Sequence, residues 1–506
     1  MDPAKRIIAN TAAQYLKSIT NICLSLYSTR LVLDALNVSD YGVYSLVAGV
    51  VGILSYLTNA LVVTTQRYLS YNYGIGNLAE VRKVFANSLL IHIIISAVFC
   101  LLLLFIESLI MDRMLNIDPA RLEAAKVVFR ITVAMLVLTI ITSPFKALLI
   151  ARENIVYISI VEVADGVMRL MLAVGLLFVH ADKLIVYAIG MGGILLVNFL
   201  AYVLYTHFRY EESRLELNST IIDSTSIRQL TGFAGWTTYG MVAGVCQMQG
   251  LAVVLNHFFG TIINSAYGLA TQVNGAVRFV STSVLNAMNP QIMQAEGNGN
   301  RQLMIKLACK ESKFSTALMM MLAIPIIVET PAILSFWLKE VPEHTTLFCR
   351  AMMLAFLIDQ LTLGLHAANQ ATGIIRMYSL IMFTPKILIV PIAWGFLAAG
   401  LPVASVMWLY VGIELGVALC RIPFMWHSVG LNMAGYLRTV IVPLIPLCLI
   451  ACAVSLCMVW LFDFHYRFIL TLLVAIPCSL LTFWFFTLDH SEREYVTNLA
   501  NIRLHS

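Results

Sequence analysis

The chain has 506 residues, 60% hydrophobic and only 12% charged, with a mean hydropathy of +0.86. Soluble domains carry about twice that charged fraction, which excludes a soluble globular protein. The formal net charge of +5 comes from loop lysines and arginines and speaks of membrane topology rather than nucleic acid.

Apolar runs of around 20 residues recur from end to end, which predicts an all-α multi-pass membrane protein. Fourteen spans are expected, near 9–33, 41–64, 84–107, 127–149, 155–179, 184–206, 231–257, 263–288, 314–337, 346–370, 377–399, 402–425, 439–461 and 466–487. The N-terminus lacks a short apolar stretch with a small-residue cleavage site, so no signal peptide is expected and the first helix is a permanent span.

Span one carries a polar stripe of Asn10, Gln14, Lys17, Asn21, Ser25 and Ser28, at the spacing of one helical face. A lysine at the centre of a membrane helix costs roughly 2.5–3.5 kcal/mol. The stripe therefore faces water or protein rather than lipid. Lys17 is either part of a wet passage or snorkels or pairs with a neighbouring helix. Arg30 and Asp34, four apart, are placed to pair and cap the end of this span. Span two holds Gly42, Ser45, Gly49, Gly52 and Ser55, small residues that suit close helix packing.

Span five carries Glu162, Asp165 and Arg169 on one face, either a self-neutralising cluster or a relay for a proton or cation. The stretch near 207–230 is the longest hydrophilic connection and the natural midpoint. Span eight places Arg278 in line with Thr271, Asn274, Ser281 and Thr282. If Lys17 and Arg278 face one cavity, they make a cationic site suited to phosphate or carboxylate. Span nine has Glu329 beside Pro331. Span ten aligns Asp359, Thr362, His366 and Asn369 or Gln370, a wetted wall or satisfied packing polars. Pro385, Pro391, Gly400 and Pro402 suggest kinks or hinges in and after span eleven, and Glu414 stands alone in span twelve.

Loops after even-numbered spans hold most lysines and arginines, Lys146, Arg152, Arg228 and Arg421 among them. Loops after odd-numbered spans hold fewer, such as Arg121 and Arg467, so both termini are expected to be cytoplasmic. A weak internal repeat relates the halves. Tyr41-Gly42 and Tyr267-Gly268 lie 226 residues apart, while the turns Gly74-Ile-Gly-Asn77 and Gly297-Asn-Gly-Asn300 lie 223 apart. The expected architecture is two six-helix lobes in parallel pseudo-repeat, 1–220 and 221–435, followed by two accessory helices and a tail at 436–506. On the repeat offset, Lys17 falls on Ala243 and Asn21 on Gln247. The ten cysteines form no CxxC pair or metal-ligand cluster, and no Walker loop is present, so neither a metal nor direct ATP drive is expected. The loops are too short for a catalytic module, so an enzyme is not expected.

The chain resembles the polysaccharide and O-antigen flippases of the multidrug/oligosaccharidyl-lipid/polysaccharide exporter superfamily over nearly its whole length. The resemblance rests on size, predicted spans and four segments: Leu36-Asn-Val-Ser-Asp-Tyr-Gly-Val-Tyr44, Arg67-Tyr-Leu-Ser-Tyr71, Gly232-Phe-Ala-Gly-Trp236 and Leu285-Asn-Ala-Met-Asn-Pro290. It implies movement of an undecaprenyl-diphosphate-linked oligosaccharide between leaflets of a bacterial inner membrane, driven by H+ or Na+ without other cofactors. Polysaccharide polymerase and chain-length machinery are the implied partners besides membrane lipids. Proteins of this superfamily such as the lipid II flippases have basic residues in spans one and eight facing a central cavity, which Lys17 and Arg278 match by span, although Lys stands where those flippases favour Arg. On that reading Lys17 and Arg278 hold the diphosphate. Asn10, Gln14, Asn21, Gln247 and Asn274 meet sugar hydroxyls, and Glu162, Asp165, Asp359 or His366 takes the coupling ion. The competing expectations are a multidrug or cation exporter of the same superfamily and a membrane-embedded polymerase or ligase.

Overall fold

The computed structural model describes residues 55–111, 119–214, 224–338, 341–464 and 466–494, with intermittent residues between 14 and 48. Nearly all of it is helix. In chain order the principal helices are α1 Ser55–Ile75, α2 Leu78–Phe105, α3 Leu122–Ala151, α4 Ile155–Gly175, α5 Lys183–Arg209 and α6 Ser224–Gly297. They continue with α7 Arg301–Trp337, α8 Thr345–Gln360, α9 Leu363–Thr372, α10 Ile375–Ala398, α11 Val403–Val429, α12 Val442–Leu461 and α13 Arg467–Thr482. The long α6 is broken at Gly260, whose φ of 74° and ψ of −163° need a residue without Cβ.

Nine described helices are long and apolar enough to cross a membrane, or ten if α8 and α9 form one bent span. The described residues thus show fewer such helices than the fourteen expected spans. Helix α4 occupies the expected fifth span, but its Glu162, Asp165 and Arg169 make it too polar to stand out. The arm of α6 after Gly260 occupies the eighth. The description of span one is intermittent, and Asn10, Arg30, Gly42, Ser45, Gly49 and Gly52 lie outside the described residues.

The chain divides into two compact units. The first comprises 1–241 and 293–299, the second 242–292 and 300–506. In the first, α3 packs against α1, α2 and α5. Its buried Phe129, Val133 and Ile140 join Val32, Leu36 and Leu184 in one core cluster. Leu148 and Leu149 join Leu69, Phe85 and Ile158 in another. In the second unit, α7 packs against α8, α9, α12 and α13, while α11 packs on α8 and α10.

The Gly-Asn turns singled out by their spacing are built alike. Asn77 Oδ1 accepts from the Glu80 amide at 3.1 Å and caps α2, and Asn300 Oδ1 accepts from the Leu303 amide at 3.0 Å and caps α7. Gly76 and Gly299 hold positive φ of 77° and 71°. Within the first unit, a Cβ on Gly74 would meet Gln294 O at 2.1 Å, and one on Gly297 would meet Tyr71 O at 2.0 Å. The repeat-related turns therefore pack backbone on backbone, which only glycine permits.

Helix α10 is continuous from Ile375 to Ala398 and carries Pro385 and Pro391 within it. A sharp bend of 47° without proline lies in expected span ten, between α8 and α9, at Leu361–Thr362. Two loop expectations are corrected by the structure. Arg421 belongs to no loop, being a buried residue of α11. Lys146 likewise sits within α3.

Candidate functional site

In the first unit, the polar stripe of span one meets the charged face of α4. Lys17 Nζ lies 2.7 Å from Glu162 and donates to Gln14 Oε1 at 2.5 Å. Asn21 Oδ1 would be 2.8 Å from a Cβ on Gly166, and Ser28 donates weakly to Arg169 O at 3.5 Å. Lys146 of α3 makes a second ion pair with Glu162. One turn along α4, Asp165 accepts from Arg169 Nε at 2.7 Å and from Asn198 Nδ2 of α5 at 2.7 Å. Periodicity finds the stripe and the α4 triad but not their meeting, since nothing local encodes a contact between residues 17 and 162. Lys146 escapes a sequence reading as a partner because its position suggests a loop.

In the second unit, a larger network spans α6, α8, α10 and α11. Glu414 is buried and accepts from Lys386 Nζ at 2.8 and 2.9 Å and from Gln247 Nε2 at 3.1 Å. Arg421, with a side chain 3% exposed, donates to Asp359 Oδ1 at 3.0 Å and to Thr362 Oγ1 at 2.8 Å. Tyr436 donates to Leu361 O at 2.5 Å. These donors serve the carbonyls and hydroxyl freed where α8 turns into α9, so they hold the bend. Ser281 and Ser315 both donate to Gln360 Oε1, at 2.7 Å for Ser315. Arg278 stacks its guanidinium 4.7 Å above the Phe356 ring, and its buried Nε has no partner. Asn274 Oδ1 is also buried and unpartnered.

Asp359 and His366 do not share one uninterrupted helix face, because the bend separates them. His366 instead lies 3.1 Å from the Tyr378 hydroxyl and 3.0 Å from Gln370 Nε2. Glu414 is not isolated, having Lys386. Glu329 pairs with Arg467 at 3.0 Å and accepts from Thr471 at 2.7 Å, tying α7 to α13. One acidic residue escapes sequence reasoning altogether. Glu311 of α7 is wholly buried with neither carboxylate oxygen partnered. Its position at the edge of expected span nine gives it the look of a loop residue.

Taken cluster by cluster among the described residues, each site gathers cations and carboxylates together, with Glu311 a further buried acid in the second unit. Lys17, Lys146 and Arg169 stand against Glu162 and Asp165, and Arg278, Lys386 and Arg421 against Asp359 and Glu414. Polar and charged groups grouped this way inside apolar helices are candidates for a functional site. No group of three or more His, Cys, Asp or Glu among the described residues has the geometry to hold a metal ion.

No protein-family profile matches the chain, and no curated protein matches its sequence. Solved structures do match in fold. A MATE protein in its straight conformation is 15% identical, with a TM-score of 0.71 over 87% of this chain and 98% of that one. An outward-facing multidrug resistance MATE family transporter of the MOP superfamily is 13% identical, with a TM-score of 0.71 over 86% and 97%. A MOP superfamily transporter from Pyrococcus furiosus, whose reverse pocket polarity suggests a different function for it, is 13% identical, with a TM-score of 0.69 over 85% and 96%. The chain thus has the fold of the MATE transporters of that superfamily.

Proposed function

We propose that the protein is an ion-coupled transporter whose cargo is an anionic amphiphile, with an undecaprenyl-diphosphate-linked oligosaccharide as the best-fitting candidate. The carrying observation is Arg278, whose guanidinium lies over the Phe356 ring with its buried Nε unpartnered. A guanidinium in that state is ready for the planar, two-point contact that phosphates offer. Lys17 contributes as a point charge shared with Lys146 over one carboxylate. Asn274 and Asn21 hold carbonyl oxygens without partners, which suits hydroxyl donors of a sugar. Gln14, Gln247 and Asn10 complete the expected polar contacts.

Coupling fits the bend between α8 and α9. A proton or sodium ion captured at Asp359 would loosen its hold on Arg421, whose other bonds go to Thr362 and the Asp359 carbonyl. Glu311 is a further acidic site free of a counter-charge; Asp165, Glu162 and His366 are already engaged. The test is substitution: Arg278→Ala and Lys17→Ala proteins at normal abundance should lose surface polysaccharide, and full retention would sink the cationic site.

A second reading is favoured by the solved neighbours, which are described as MATE or multidrug resistance transporters, one of them holding Rb+. On that ground, export of a drug or cation is supported at least as well as glycan-lipid movement, and better than by family resemblance alone. Arg278, with its unpartnered Nε, argues against it, because a cationic cargo beside it would meet repulsion in a low-dielectric interior.

A further inference from the structure

Apart from both charged clusters, α1, α2 and the first arm of α6 enclose a cavity of about 300 Å³ within the first unit. That volume is at the lower end for small-molecule sites, about 300–1,000 Å³. Its wall is apolar, built from residues such as Leu61, Ile91, Ile95, Phe99 and Leu230, and the small Ala234 and Gly235 leave the space open.

One lining residue is out of keeping. His92 is 1% exposed and near the midpoint of the 28-residue α2. Its Nδ1 lies 2.6 Å from Ser88 O, one turn back along the same helix. A carbonyl only accepts, so Nδ1 carries the proton, and Nε2 of the neutral ring presents a lone pair. With Nδ1 turned onto its own backbone, Nε2 lies on the far side of the ring, buried and without a partner. The neighbouring hydroxyls do not serve it: Thr64 donates to Ala60 O at 2.8 Å, Thr65 to Ser88 Oγ at 3.0 Å, and Thr231 to Ile227 O at 2.8 Å. A buried polar atom so deep in an apolar span is a functional candidate by default.

The rim indicates the route of entry. Ile94 and Val98 line the cavity yet are 53% and 54% exposed, on the most apolar of the described spans, so this side faces hydrocarbon. We propose that this cleft binds a lipophilic molecule carrying a single hydrogen-bond donor, a long-chain alcohol, phenol or amide, which enters from the bilayer and donates to His92 Nε2. The proposal is independent of the transport reading and of the charged clusters.

The test uses purified full-length protein in phospholipid nanodiscs, photolabelled with a diazirine-bearing dodecan-1-ol or its methyl ether. Crosslinks from the alcohol should map to 88–99 and 230–238 and exceed those from the ether by about three- to tenfold, the discrimination that one hydrogen bond gives. His92→Phe should equalise the two probes. Gly235→Leu, which grows into space where a Cβ meets nothing within 4 Å, should abolish labelling by both. Equal labelling by alcohol and ether in the native protein overturns the proposal without recourse to any variant. So does labelling that is spread evenly over exposed helix faces, or that persists in a stably folded Gly235→Leu protein.

Discussion

The Lys386–Glu414 pair offers the sharpest energetic test. Both side chains are largely buried, at 13% and 5% exposure, and the carboxylate takes two bonds from Lys386 and one from Gln247. Glu414→Gln keeps the shape and can still meet Gln247, but strands the ammonium of Lys386 away from water. Breaking a buried pair from one side costs about 3–5 kcal/mol, since the uncompensated charge stays behind. A cooperative unit of about 250 residues shifts by roughly 2 °C per kcal/mol, so the melting midpoint in detergent should fall by about 6–10 °C. Lys386→Met with Glu414→Gln removes both charges, and replacing a buried pair by apolar groups is often near neutral. The double variant should therefore recover most of the loss, its cost falling well below the sum of the two single costs. Single costs that simply add, or a Glu414→Gln protein melting like the native one, would refute the assignment of this pair as a buried, dry contact.

Other consequences follow from the same geometry. Gly74→Ala and Gly297→Ala each drive a Cβ to about 2 Å from a carbonyl oxygen. Each should destabilise by about 1–3 kcal/mol or more, whereas Gly268→Ala, with open space around it, should not; thermal melting distinguishes them. Tyr436→Phe removes the bond to Leu361 O, so amide exchange around 361–365 should quicken while the rest of α8 stays protected. At the C-terminal end, burial pushes the Asp489 carboxyl up, but bonds from Ser491 and the Glu492 amide, with Lys313 and Lys310 nearby, hold it below the usual range. A lowered folded value means stability that is present above about pH 4 and lost as pH falls further. Limited proteolysis should cut near 488–494 more readily in acid, and Asp489→Asn should remove that dependence.

Much of the fold was legible because lipid imposes a simple code: long apolar runs, with a 3.6-residue period where a face must be polar. The span-one stripe and the α4 triad were visible for that reason, and so were the Gly-Asn turns, whose caps and positive-φ glycines are local requirements. Partners were not visible. Glu414 looked alone because Lys386 is 28 residues away and on another helix, and Arg421 looked like a loop cation because the carboxylate burying it, Asp359, is 62 positions earlier. The bend at 361–362 escaped notice because no proline marks it; side chains of other helices hold it open. His92 gave no periodic signal at all. Its significance arises only from donors that Thr64, Thr65 and Thr231 direct elsewhere.

The proposed anionic cargo depends above all on Arg278 and its unpartnered Nε. Reconstituted into proteoliposomes under an imposed proton or sodium gradient, the protein should move a fluorescent polyprenyl-diphosphate glycan between leaflets. Arg278→Gln should slow that movement by at least about tenfold, the loss of roughly 1.4 kcal/mol of charge-assisted contact. Gradient-driven transport of a lipophilic cation such as ethidium, with no movement of the diphosphate lipid, would contradict the account and establish the exporter reading in its place.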